Sequence, residues 1–369
     1  MKPFYRADQV GSLLRPDSLL QARAQFERRD ITALQLRAAE DTAISAIAKK
    51  QEALGFGVVV DGEFRRENWW IDFARSLGGV EIQDGHSISF VKDCDHDHSW
   101  QYVPKNVFTH SRIELTHSSN ADDFAYLQST TDRAAKITIP SPTRLHFHGG
   151  RAAVSSKAYP DIELFFADVV RVYQQEIAAL EAKGCRYIQI DDPLLTYFIS
   201  DRLRAEVTAA GEDPDRRLER YITLTNDCIA KRRADTAVGI HVCRGNSRSG
   251  WISEGGYARI ADAVFGGLKA DHLLLEYDDE RSGDFEPLRY IPQGQRVVLG
   301  LVTTKTGKLE QQDDLLRRVD AASKFVPLEN LALSPQCGFA STVEGNIITM
   351  DDQWNKLALI TSTAQKIWG

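Results

Sequence analysis

Apolar residues recur along the chain in short unbroken runs, each closing on a polar or glycine-containing cluster. The runs are ADQVGS (7–12), GVVVDGEF (57–64), KITIPSPT (136–143), YIQIDDP (187–193), VGIHVCRGN (238–246), HLLLEYD (272–278), VVLGLVT (297–303) and LALSPQCG (331–338). Runs of this kind, rather than strict alternation, describe strands buried on both faces and so a parallel sheet covered by helices. Stretches of helical period separate most of them, among them ITALQLRAAEDTAISAIAKKQEALGFG, DIELFFADVVRVYQQEIAALEAKG and QQDDLLRRVDAASKFV. Eight such units predict an α/β fold, a closed (β/α)8 TIM barrel, with an open doubly wound sheet as the alternative. Residues 78–135 break the rhythm with strand-like alternating pieces and five histidines. They read as a hairpin region inserted after the second strand, within a single domain spanning 1–369.

Composition narrows the function classes. The 369 residues are 43% hydrophobic and 26% charged, ordinary for a soluble protein with a large core. A net charge of −7 leaves no electrostatic footprint for nucleic acid or an anionic membrane surface. No apolar stretch approaches the roughly 20 residues that span a bilayer. The opening MKPFYRADQVGSLLRP lacks the apolar core of a signal peptide. The expectation is a cytoplasmic protein. Its five cysteines (Cys94, Cys185, Cys228, Cys243, Cys337) are odd in number and widely spaced. In a reducing compartment they are buried thiols, nucleophiles or metal ligands rather than bridges.

Candidate chemistry sits where a parallel barrel keeps it, at the carboxyl ends of the strands. Those ends carry Ser12, Asp61, Glu63, Asp191, Asp192, His241, Cys243, Glu276, Lys305 and Cys337. Serine and aspartate there can simply cap the following helix, which suits Asp192. Cysteine caps poorly and prefers burial. His241 and Cys243, at i and i+2 on one strand, point to the same side and into the barrel mouth. With Glu276 and Cys337 on neighbouring strand ends they could complete a four-coordinate zinc site. Elsewhere CDHDHSW (94–100) reads as a crowded, solvated loop, and Cys185 and Cys228 as core. The remaining carboxylates of EYDDERSGDFEPL read mostly as a solvated loop around Glu276. Trp69 and Trp70 suit either pocket lining or packing, and Arg65 and Arg66 either a substrate carboxylate or the surface.

Taken in order, VGS, VVVDGEF, IQIDDP, HVC, LLLE and SPQCG resemble the catalytic domain of cobalamin-independent methionine synthase, over nearly the whole chain. SPTRLHFHGG and GLVTTKTGKLE resemble its short, single-domain relatives. The resemblance implies a (β/α)8 barrel, zinc held by His241, Cys243, Glu276 and Cys337, and methyl transfer from a methylated folate to homocysteine, making methionine. It also implies that Val10 and Ser12 hold the substrate amino acid, that Glu63 binds its ammonium, and that Asp191 serves the same pocket or the methyl donor. Two positions depart from the family. Lys305 stands where an acid histidine is expected, to act as an acid or to anchor an anion. His146, Phe147 and His148 stand where a tryptophan would stack on a pterin. The alternatives are a different acceptor thiol of the coenzyme M kind, a corrinoid-bound methyl donor, or a barrel that binds metal or ligand without turnover.

Overall fold

The computed structural model describes residues 2–85, 88–90, 100–103 and 105–369. The strands are β1 (Val58–Val59), β2 (Leu77–Asp84), β3 (Ile88–Phe90), β4 (Trp100–Tyr102), β5 (Lys105–Leu115), β6 (Ala134–Ala135), β7 (Ile137–Pro140), β8 (Tyr187–Asp191), β9 (Ala237–Val242), β10 (His272–Glu276), β11 (Arg296–Val302) and β12 (Leu331–Pro335). The α-helices are α1 (Asp17–Glu27), α2 (Ala33–Ala53), α3 (Ile71–Arg75), α4 (Ser119–Ser129), α5 (Ile162–Ala182), α6 (Asp201–Ala209), α7 (Pro214–Ile229), α8 (Ala261–Gly267), α9 (Gln312–Ser323) and α10 (Met350–Trp368).

β7 to β12 pair in sequence order, all parallel. β6, just ahead of β7, pairs in parallel with β1. The segment at residues 7–12 closes the ring. Ser12 bridges Gly62 beyond β1 and Ala7 bridges Leu333 on β12, both in parallel sense. Backbone bonds run from Leu13 N–H to Gly62 O (3.1 Å), from Asp8 N–H to Leu333 O (2.9 Å) and from Leu333 N–H to Arg6 O (2.8 Å). Eight segments therefore make a closed barrel, as the run pattern predicts, and not an open sheet.

The strands are buried along their whole length because helices cover their outer faces. β7, β8, β9, β10 and β12 have every residue buried. The helices start and stop on local signals. Thr32 and Gln35 form a capping box at the start of α2, which stops before Gly55 at φ +89°. Asp161 caps α5 by accepting from Glu163 N–H, and Gly184 at φ +94° follows its end. No described helix is long and apolar enough to cross a membrane.

Between the second and third barrel segments, β2 and β5 pair as an antiparallel ribbon, with β3 and β4 paired between them. Val107, Thr109 and Ile113 on β5 are buried while their neighbours are not, the period-2 pattern of a ribbon lying on a core. Arg112 clamps the ribbon to α5 through Asp168 (2.5 and 2.9 Å), and Ile113 N–H donates to Tyr159 Oη (2.7 Å). The same span also holds α4, which contacts α2 and α5 in the outer helical layer. Cys94 and CDHDHS (94–99) lie outside the described residues.

Arg65 and Arg66 take neither of the roles the sequence suggested. Arg65 pairs with Glu40 (3.3 Å), Asp41 (2.6 Å) and Asp123 (3.0 Å), and Arg66 donates to Thr138 Oγ1 (2.8 Å) and Thr138 O (2.6 Å). Both are buried and tie the loop after β1 to its neighbours.

Candidate metal centre and substrate pocket

β9 is flanked by β8 and β10, and its register sets Asp191 beside His241 and Leu275 beside Val242. One residue beyond the strand comes Cys243. Cys337 follows β12 from across the barrel mouth. His241, Cys243 and Cys337 are all buried, and one ligand atom from each lies within 4.8 Å of the others. Cys337 Sγ is 3.6 Å from His241 Nε2 and 3.8 Å from Cys243 Sγ. A tetrahedral zinc with sulfur at about 2.3 Å and nitrogen at about 2.0 Å spaces neighbouring ligand atoms by roughly 3.5–3.8 Å. The donor set and its spacing therefore fit zinc.

The contact between the two thiols sets them apart. The hydrogen bond with Cys243 and the one with His241 hold Cys337 well below the usual thiol range, and the same contact pushes Cys243 well above it. Burial lowers the His241 imidazole, but the hydrogen bond and charge of Cys337 outweigh it and the net shift is upward. Of the two thiols, Cys337 is the one whose ionisation this pairing eases, and the thiolate is the form that binds metal.

Glu276, the fourth residue the sequence nominated, lies outside this compact trio. Its Oε2 accepts from Arg244 N–H at 2.7 Å, while Oε1 has no hydrogen bond. Lys305 Nζ stands 3.6 Å from Glu276 Oε1 and 3.6 Å from Asp278 Oδ2. It faces these two carboxylates and is not part of the cavity wall beside the thiols. Asp278, with a side chain 0% exposed, does not belong to a solvated loop. Sequence reasoning missed it, together with Arg281 and Tyr257, whose hydroxyl accepts from Glu276 N–H (3.0 Å) and donates to Val242 O (2.9 Å). No spacing signal marks these residues, because they are brought in by the loops after β9 and β10.

The cavity over the thiols is lined by Val10, Ser12, Glu63 and Asp191, together with Trp69 and Trp70. Two glycines allow this close approach. A Cβ on Gly338 would stand 1.9 Å from Ser12 Oγ, and one on Gly11 would stand 2.8 Å from Glu63 Oε1. Ser12 Oγ accepts from Ala340 N–H at 3.2 Å. Glu63 holds the left-handed backbone at φ 58°, strain that concentrates at functional positions. Thr138 Oγ1 donates to its Oε1 at 2.9 Å. Burial pushes the Glu63 carboxyl up against the opposing pull of Arg66, and burial pushes Asp191 up to about 7 against His241. Asn246, also unforeseen, lines the cavity with Oδ1 unpartnered, while its Nδ2 donates to Gly338 O at 2.7 Å.

His146 turns away from the cavity and bonds Tyr221 Oη through Nδ1 at 2.9 Å. Burial, then Arg217, pushes it down to about 3. His148 does line the cavity, and burial, then Arg144, holds it well below the usual histidine range. Burial disfavours the charged form of both imidazoles. Asp192 caps the turn after β8 by accepting from Leu194 N–H at 3.2 Å, and Cys185 and Cys228 are buried core thiols.

The sequence profile described as cobalamin-independent synthase, catalytic domain, matches residues 7–350. The Bacillus subtilis (strain 168) protein YxjG is 43% identical over 370 residues, covering 100% of this chain and 96% of that protein. A solved structure from Listeria monocytogenes superposes with TM-score 0.79 at 36% identity, covering 100% of this chain and 99% of its own. A B12-independent methionine synthase from Shewanella sp. W3-18-1, solved in complex with selenomethionine, superposes with TM-score 0.71 at 19% identity, covering 98% and 97% of the two chains.

Proposed function

The chain belongs to the family of cobalamin-independent synthase catalytic domains, and from that premise we propose that it is a zinc-dependent S-methyltransferase that methylates homocysteine to methionine. The observation that carries the reading is the convergence of two thiols and an imidazole, from strand ends far apart in sequence, within 4.8 Å. His241, Cys243 and Cys337 would hold the ion, and Glu276, at the end of β10, would complete or vacate a fourth position. Zinc bound there supplies the chemistry of keeping an incoming thiol as thiolate at neutral pH.

The chain's own groups do the rest. Glu63 and Asp191 face the cavity as carboxyl groups able to bind an ammonium, and Ser12 and Val10 shape the seat for the amino acid. Trp69 and Trp70 line the cavity with apolar surface and would limit water at the reacting sulfur. The methyl donor in this reading is a methylated folate such as 5-methyltetrahydropteroyltriglutamate. We place the enzyme in the cytoplasm as one barrel domain, 1–369, with 78–135 carrying its inserted ribbon ahead of α4 and β6, which belong to the barrel. The four described cysteines are free thiols, which suits a reducing compartment.

One observation favours a second reading, in which the donor is a corrinoid-bound methyl group or the acceptor is another thiol of the coenzyme M kind. A folate amine leaves well only when protonated. Burial disfavours the charged form of His148, which lines the cavity together with His241, and Lys305 faces two carboxylates instead. The test is to incubate zinc-loaded protein with homocysteine and, separately, methyltetrahydrofolate, its triglutamate and methylcobalamin, and to measure methionine. Product from a folate supports the first reading, and product from methylcobalamin alone supports the second. No product from any donor overturns methionine formation.

A further inference from the structure

The loops that carry the two thiols are tied to their neighbours by a pair of asparagine side chains. Asn246 follows Cys243 on the loop after β9. Its Nδ2 donates at 2.7 Å to the carbonyl of Gly338, the residue after Cys337. Asn346 lies between β12 and α10. Its Oδ1 accepts from Ser249 N–H (3.0 Å), its Nδ2 donates to Thr304 O (2.9 Å), and its own N–H donates to Phe339 O (2.9 Å). Thr304 Oγ1 in turn donates at 2.7 Å to Oε1 of Gln336, the residue before Cys337. Phe339 N–H donates to Ser12 O at 2.9 Å, which brings in the first barrel segment. Both asparagines are buried.

The backbone that presents Asn246 is strained. Gly245 takes φ +87°, and Arg248 and Ser249, neither of them glycine, take φ 48° and 68°. Left-handed backbone at residues with side chains costs energy and persists only where the surroundings over-determine it. Here they do. Ser247 and Gly250 exchange backbone bonds across the turn, and Ser249 Oγ accepts from Ile347 N–H at 2.9 Å, beside the bond from Ser249 N–H to Asn346. The turn fixes where Asn246 stands, and Asn246 fixes Gly338 and with it Cys337. We propose that Asn246 and Asn346 are positioning residues, which set the reach of Cys337 to Cys243 by protein hydrogen bonds and not by the ion alone. This rests on the zinc reading above. Thiols held in this way lose less freedom when an ion binds, and so hold it more tightly.

Two probes read the thiol pair without turnover. Zinc affinity is measured by competition with a chromophoric chelator. Phenylarsine oxide, added to the zinc-free protein, bridges neighbouring thiols: two As–S bonds form, and its oxygen leaves as water with the two thiol protons. Cys337→Ser, which breaks the pair, serves as the blank. The proteins compared are the wild type, Asn246→Ala, Asn346→Ala and Asn226→Ala, with thermal midpoints to check folding. Asn226 is the control, because it makes the same kind of amide bridge, to Gly267 O (2.8 Å) and from Lys269 N–H (2.7 Å), and does not line the cavity. Asn246→Ala and Asn346→Ala bind zinc about tenfold more weakly than the wild type, in the range that outer-sphere partners contribute, and capture the arsenical more slowly. Asn226→Ala lowers the thermal midpoint and leaves both probes at the wild-type level. Ser249→Ala, which removes only the bond from Ile347 N–H, is the milder variant and moves both probes the same way by a smaller factor. Equal zinc affinity in wild type and Asn246→Ala overturns the proposal, as does equal weakening in Asn226→Ala, which would mean a general loss of stability. A wild type that binds no zinc, with the arsenical difference intact, overturns the zinc reading and supports the positioning role.

Discussion

At the amino-terminal end of the strands Lys136 donates to Asp8 Oδ1 (2.7 Å), to Gln189 Oε1 (2.9 Å) and to Gln9 O, while Tyr187 Oη takes the other Asp8 oxygen at 2.5 Å. At the carboxyl end His241 Nδ1, Glu276 Oε1 and Lys305 Nζ are buried without a hydrogen-bond partner. Both ends bury charge inside one barrel. Buried polar groups are nearly always satisfied, so a cluster left short of partners marks a place built for something else to bind. The lower end holds the ring together, although Gln9 Oε1 and His272 Nδ1 lack partners there, and the upper end gathers more such atoms close to the thiols. Phe4 and Tyr5 sharpen the contrast, since they pack beneath the barrel and close off the lower end.

The largest effect that could break this contrast comes from the upper end. Cys337→Ser removes one of the converging thiols and drops bound zinc from about one per chain to near zero, with loss of methyl transfer, because a structural set of three ligands cannot spare one. Cys228→Ser, in the core, leaves zinc content unchanged. Metal analysis of both variants decides the matter, and equal zinc in Cys337→Ser and wild type would erase the distinction between the two ends.

The next effect belongs to the lower end. Lys136→Met strands the Asp8 carboxylate without its cation and destabilises the fold by about 3–5 kcal/mol, the usual result of breaking a buried pair. Urea unfolding measures it. Zinc content of the folded fraction stays at the wild-type level, and a loss of zinc without a loss of stability would contradict the division of labour.

The smallest effect is a pH dependence, also from the lower end. His272 stacks on Phe4 with centroids 5.2 Å apart and bonds Pro3 O through Nε2 at 2.9 Å. Burial pushes its pKa down from 6.5 to about 4. Between these values the unfolded chain holds a proton that the folded protein refuses. The stabilisation is complete above pH 6.5 and is lost as the pH falls through 4, at about 1.4 kcal/mol per unit and about 3 kcal/mol in all. His272→Gln removes that slope. Urea midpoints at pH 7.5 and 5 for both proteins should show a smaller drop in the variant, and an equal drop would remove His272 from the account.

How much of this could be read from residues alone follows the same division. The apolar runs marked all eight barrel segments, and the i, i+2 pair His241 and Cys243 marked the mouth, because both signals are local. Cys337 joined them because cysteine at a strand end has no capping role. Lys136 and Gln189, by contrast, sit inside runs that read as plain strands, and their partner Asp8 is supplied only when the ring closes. Asp278 and Arg281 looked like part of a solvated acidic loop, since nothing in EYDDERSG shows that Lys305 folds over it. Arg65 and Arg66 read as surface or substrate groups for the same reason, the acidic partners of Arg65 lying on α2 and α4 and the Thr138 partner of Arg66 on β7. The sequence pattern reports which way a residue points and is silent on what arrives opposite.

The central claim is that one ion is held by both thiols at the barrel mouth. X-ray absorption at the zinc edge of the loaded protein tests it most directly. The account predicts two sulfur neighbours at about 2.3 Å, rising to three when homocysteine is added. A first shell of nitrogen and oxygen alone, or a sulfur count that does not change with the thiol, would contradict it.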